Sequence, residues 1–159
     1  MHRVTPLENP TWTEAAKIYG DKKVIGMLFL GFSSGLPYLL VFSTLTAWLA
    51  EEDVTRSAIG LFAWVGMTYS IKVVWAPIVD HMPLPILGRV LGQRRSWIML
   101  GQILICLGLV GISVYGVVNL WLLAFLSLVV AFGSSTQDIA IDAYRIEAVE
   151  NRYQGAMSA

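Results

Sequence analysis

Three long stretches of this chain contain no charged residue at all. Between Lys23 and Glu51 there are 27 such residues, between Arg56 and Lys72 there are 15, and between Arg95 and Asp138 there are 42. A helix needs about 20 apolar residues to cross about 30 Å of hydrocarbon. The 42-residue stretch therefore holds two crossings, divided at Gly116-Val117-Val118-Asn119. The second stretch resumes from Val73 to Val79. Four transmembrane helices are predicted, at roughly 24–49, 57–79, 97–117 and 120–143. Lipid cannot satisfy backbone polar groups, and the runs lack the alternation of barrel strands, so the spans are helical. The expected fold class is an all-α integral membrane protein.

Composition agrees. The chain is 56% hydrophobic and 14% charged, with eleven basic residues against eleven acidic ones. That balance excludes a disordered chain and a nucleic-acid binder of the basic-patch type. One cysteine, Cys106, excludes a disulfide framework, and the two histidines, His2 and His81, have no metal-ligand spacing. No Ser-His-Asp set or phosphate-binding glycine loop is present, so the expectation is a protein that is not an enzyme and needs no cofactor. The first span is too long for a signal-peptide core and is read as retained.

Lys and Arg near the membrane set orientation. Arg3, Lys17, Lys22 and Lys23 precede the first span, Arg89, Arg94 and Arg95 follow the second, and Arg145 and Arg152 follow the fourth. The loop after the first span has only Arg56. With four spans these basic segments share one side, expected to be the cytoplasm. Residues 1–23 then form a cytoplasmic N-terminal segment, 24–144 the transmembrane region, and 145–159 a second cytoplasmic segment leading to an expected fifth helix, of which Tyr153–Ala159 would be the entry. Trp48, Tyr115 and Trp121 suit an outer aromatic belt, and Trp75, Trp97 and Tyr144 an inner one. Within Thr5–Asp21, Thr11 or Thr13 could cap a short interfacial helix; a loose tail is the alternative.

Charges inside spans are costly and mark functional candidates. Lys72 either snorkels or faces the bundle interior. Ser134, Ser135, Asp138, Asp142 and Arg145 form one stripe of the fourth span, with Gln137 on its flank. A carboxylate in a poorly hydrated cavity can bind a proton reversibly, as a proton-coupled carrier requires. Asp138 suits that role; Asp142 could instead pair with Arg145. In the first span, Gly31 and Gly35 make a surface on which another helix could approach closely. Pro37 removes the hydrogen bond to Ser33 and kinks the helix. Ser33 and Ser34 make this span a cavity wall. A further expectation is that Asp80, Arg94 or Arg95, and Asp142 meet at the inner surface.

The stretch Trp75-Ala76-Pro77-Ile78-Val79-Asp80, followed by Gly92-Gln93-Arg94-Arg95, resembles the signature loop of the major facilitator superfamily. Ala76 stands where that pattern usually has glycine, and the spacer to Arg94 is longer. The longer spacer is similar to the AmpG muropeptide permeases. So are Gly31-Phe32-Ser33-Ser34-Gly35-Leu36-Pro37, Lys72-x-x-Trp75-Ala76-Pro77, and Ser135-Thr136-Gln137-Asp138-Ile139 with Asp142-Ala143. The resemblance covers the chain from about Lys23 onward. It implies the first third of a major-facilitator-type helical bundle, in a bacterial inner-membrane, proton-driven importer of anhydro-muropeptides. Its substrate and proton pathway would include Ser34, Lys72, Gln137 and Asp138. Its cytoplasmic gating loop would include Asp80, Gly92, Arg94, Arg95 and Asp142. Gly31, Gly35 and Pro37 would form the helix kink. Carriers of this superfamily use two six-helix halves, so the remainder of the carrier is an expected partner, with the bilayer and the small-molecule substrate. A branch of the family that moves acetyl-CoA keeps that substrate open. The rivals are a small four-helix exporter acting as a dimer, disfavoured because the first span lacks a carboxylate, and a non-transporting membrane subunit.

Overall fold

The computed structural model describes residues 22–148 of the chain. The expected interfacial helix in Thr5–Asp21 and the stretch from Tyr153 to Ala159 lie outside them. The described residues contain no strand, and four helical stretches are long and apolar enough to cross a membrane. These are Val24–Glu51, Arg56–Val74, Gln93–Val118 and Leu120–Glu147, here the first to fourth spans. This is an all-α membrane protein with four transmembrane helices.

The first span opens with α1 (Lys22–Leu39), passes through a π-helical turn at Leu40–Thr44 and ends in α2 (Leu45–Glu51). Pro37 lies within α1 and cannot donate to the Ser33 carbonyl. The widened turn begins three residues later, where the Leu45 N–H reaches back to the Leu40 carbonyl. The span closes on Asp53, whose φ of 56° lets the Val54 N–H reach the Leu49 carbonyl at 3.1 Å.

The second span is wound more tightly. It runs through α3 (Arg56–Phe62), a 3-10 segment at Ala63–Gly66, α4 (Met67–Ile71), a second 3-10 turn at Lys72–Val74, and then α5 (Ala76–His81). Pro77 cannot bond to the carbonyl of Val73, so the chain tightens just before it and restarts after Trp75. Lys72 thus opens a 3-10 turn. A short helix, α6 (Leu87–Leu91), and Gly92 at φ 81° lead into α7 (Gln93–Tyr115), the third span. The fourth is α8 (Leu120–Ala148). Asn119 caps α8, its Oδ1 accepting from the Trp121 and Leu122 N–H groups at 3.0 and 3.2 Å.

α8 is the hub and packs against the other three spans. Its tightest partner is α7. A Cβ on Gly101 would lie 2.8 Å from the Gly133 carbonyl oxygen, and one on Gly133 would lie 2.9 Å from Leu104 Cβ. One on Gly108 would press Val130 at 2.5 Å. In lipid the helices have no hydrophobic drive to associate, so such close backbone packing carries the contact. Gly31 and Gly35 take no part in such packing among the described residues. Nothing described lies within 4 Å of a Cβ built on either, and both are exposed.

Two apolar layers form around this pair. Val41, Leu45, Leu49, Phe62, Val65, Ile105, Leu123 and Val130 make one, toward Glu51. Val79, Ile98, Ile139, Ala140 and Ile141 make the other, toward Asp80. Trp75 belongs to this inner layer: its indole N–H donates to Thr136 Oγ1 at 3.2 Å, and its ring stacks 5.1 Å from Phe132. It is turned to α8, which corrects its expected place in an interfacial belt.

Candidate functional site

Between the two apolar layers, the first, second and fourth spans each contribute polar atoms to one cluster. The Asp138 carboxylate is at its centre. One oxygen accepts from Ser34 Oγ at 3.0 Å, and the other is paired with the Lys72 ammonium. Ser134 Oγ donates to the Ser34 carbonyl at 3.3 Å, tying the same turn of α1 to α8. Lys72 reaches Asp138 from the 3-10 turn; it does not snorkel to the membrane surface. Pairing is the way two such charges are tolerated between apolar layers.

Asp138 borders a cavity of about 340 Å³. Gly31, Ser34 and Gly35 line it from α1, and Ser134, Asp138 and Asp142 from α8. Among the described residues Gly31 and Gly35 thus border the cavity and seat no helix. Tyr38 and Tyr69 close one end, edge to face at 5.3 Å between centroids. The Tyr69 hydroxyl is buried with no hydrogen-bond partner among the described residues. Spacing holds the signal for both tyrosines, which the sequence reading missed. Tyr38 is four residues after Ser34 and Tyr69 three before Lys72, each one helical turn from a candidate.

Gln137 is placed differently from its expected position on the pathway. It is fully buried and absent from the cavity wall. Its Nε2 donates to Ser33 Oγ at 3.2 Å, while its backbone lies against Gly101. It braces α1 against α8. Ser135 bonds back to the Ala131 carbonyl at 2.8 Å within its own helix.

A second cluster joins the second, third and fourth spans at the end that carries Asp80. Arg94 Nη1 donates to Asp80 Oδ1 at 2.7 Å, and Arg94 Nη2 and Nε donate to Glu147 Oε1 at 2.6 and 2.9 Å. Gln93 Nε2 adds a 2.5 Å bond to the Asp80 carbonyl. Gly92, at its positive φ, turns the chain so that Gln93 and Arg94 open α7 beside Asp80. Two members of the expected cluster stand elsewhere. Asp142 faces Arg145 at 3.6 Å on its own helix, and Arg95 lies over the Tyr144 ring at 5.9 Å. Glu147 takes the expected place of Asp142 because it sits at the inner end of α8, within reach of Arg94. No group among the described residues has the ligands to hold a metal ion.

Four apolar spans, a paired charge between them and a clasp across one end define a polytopic membrane protein. The family described as acetyl-coenzyme A transporter 1 matches residues 24–158, and the chain belongs to this family. A putative transporter AmpG 4 from Rickettsia felis is 40% identical over 144 residues, covering 90% of this chain and 34% of the relative. A putative transporter AmpG 3 from Rickettsia prowazekii is 40% identical over 131 residues, covering 82% and 31%. The anhydromuropeptide permease of Escherichia coli K12 is 36% identical over 147 residues, covering 90% and 28%. The chain spans about a third of the length of these curated relatives. No solved structure matches it significantly.

Proposed function

We propose that this chain supplies the proton-binding and substrate-facing part of an inner-membrane importer of anhydro-muropeptides, with both of its ends on the cytoplasmic side. The observation that carries this reading is the Lys72–Asp138–Ser34 cluster, in which Ser34 and Asp138 line the cavity and Lys72, not itself a lining residue, is paired with Asp138. With its carboxylate ionised, Asp138 holds Lys72 and joins the second span to the fourth. A proton on Asp138 neutralises it and releases Lys72 toward the cavity, where an ammonium can take a carboxylate of a peptide stem. Proton binding and substrate binding are then linked through one ion pair, the two-state element that coupling needs. The printed name of the Escherichia coli relative supports the muropeptide substrate.

The test is a chimera in which this chain replaces the matching part of the Escherichia coli anhydromuropeptide permease. The chimera takes up labelled anhydro-muropeptide. Asp138→Asn keeps the shape and removes the titration, and uptake falls at least about a hundredfold, the usual scale for a positioned proton-transfer group, with expression unchanged. Proton-dependent uptake that survives in Asp138→Asn removes Asp138 from the mechanism.

The family description is consistent with a second reading, an acetyl-coenzyme A carrier. The same chimera, offered labelled acetyl-CoA in competition with anhydro-muropeptide, separates the two.

A further inference from the structure

From Met82 to Gly92 the chain links the second span to the third without an acidic residue. Its apolar side chains are uncovered: Ile86 is 79% exposed, Val90 81% and Met82 58%. On the spans such exposure is expected, because lipid covers it. These residues are not on a span. They lie beyond Asp80 and before Arg94, outside the polar clasp that closes the inner ends.

The loop is nevertheless built. Trp97 Nε1 donates to the Met82 carbonyl at 2.9 Å, Gly88 N to Leu84 O at 2.9 Å, and Gly92 N to Gly88 O at 3.1 Å. Ile86 is the N-cap of α6, and Val90 lies one turn on, so the two project from the same face. Arg89 lies beside them, exposed and without an ion pair among the described residues. Trp97, which holds the start of the loop, is of the residue type that collects at the headgroup level.

We infer that the 82–92 loop is an interfacial membrane anchor, with Ile86 and Val90 in the acyl boundary of the inner surface and Arg89 on anionic lipid headgroups. A loop turned to water would leave these apolar groups as an uncovered patch. Short apolar faces flanked by arginine partition into the interface, and anionic headgroups complement a segment with no carboxylate. Tethered at Asp80 and Gln93, the loop remains beside the bilayer at all times and needs no separate recruitment.

The experiment uses the full chain in nanodiscs. Cys106 is the only cysteine, so Cys106→Ser with Val90→Cys gives one site for an environment-sensitive NBD label, and Cys106→Ser with Ile86→Cys gives a second. Both positions are exposed, so labelling does not disturb packing. The expected result is blue-shifted emission, quenched by lipids brominated near the headgroup and little affected by aqueous iodide. Partition of the label is about fivefold stronger in phosphatidylglycerol discs than in phosphatidylcholine discs, and Arg89→Gln removes that difference. Water-like emission quenched by iodide in both lipids overturns the inference. So does a label shielded from both quenchers, which marks a protein surface, either a second copy or another polypeptide. Equal emission in the two lipids, with or without Arg89, overturns the headgroup contact.

Discussion

At the residue scale, two sets of glycines do opposite work. Gly101, Gly108 and Gly133 hold α7 and α8 in backbone contact, while Gly31 and Gly35 border open space. A side chain at Gly101 must displace the Gly133 carbonyl or the Gln137 backbone, neither of which can yield cheaply. Gly101→Val therefore destabilises the chain by about 1–3 kcal/mol, the usual cost of overpacking. It appears as a lower thermal unfolding midpoint in detergent. Gly31→Val leaves that midpoint unchanged and narrows the cavity instead. Equal midpoints for the two variants would remove the distinction. The same contrast explains why Gln137 is a brace: its side chain lies in the glycine-lined seam, and only its amide reaches Ser33.

At the element scale, the irregular turns are the informative ones. The π-turn after Pro37 and the 3-10 turn before Pro77 lie in the two spans that face Asp138 across the cavity. Both are places where the i to i−4 ladder is already broken, so a change of helix direction costs few further bonds. The ends of the second and fourth spans are held by Arg94, which bridges Asp80 at the end of α5 and Glu147 at the end of α8. The carboxylates are partly exposed, at 39% and 56%, so each pair contributes at most about 1 kcal/mol. Arg94→Gln should thus cost little stability but loosen the geometry. Spin labels at positions 83 and 146 report a broader distance distribution in Arg94→Gln than in the wild type. Arg95→Gln leaves the distribution unchanged, because Arg95 lies over Tyr144 and bridges no carboxylate. An unchanged distribution in Arg94→Gln would show that packing alone holds the inner ends.

At the scale of the whole molecule, charge asymmetry sets the expected orientation. Seven Lys and Arg lie in the N-terminal segment and the loop containing Arg94, against Arg56 alone in the outer loops. The clasp places the ends of the second and fourth spans and the start of the third on one side of the bundle. A phosphatase reporter fused after Glu52 is active, as it is only outside the cytoplasm, and one fused after Gly92 is inactive. The reverse pattern would invert the topology and put the 82–92 loop, with Arg89, on the outer face.

Span number and helical type were readable from the gaps between charges, because a hydrocarbon layer imposes its length and its backbone requirement on any chain that crosses it. The isolated charges Lys72 and Asp138 were readable as candidates for the same reason: charge at that depth is costly enough to stand out. The partners of those charges were not readable. Glu147 instead of Asp142 on Arg94, Gln137 in the seam instead of the cavity, and Trp75 against α8 instead of the interface all depend on helix rotation and crossing. A uniformly apolar span carries little periodicity to reveal its rotation. In lipid, small residues and single hydrogen bonds settle it, and they act only once the helices meet. The tertiary structure therefore decided which glycines touch, which face of α1 remains open, and that Ser34 and Lys72 converge on the Asp138 carboxylate.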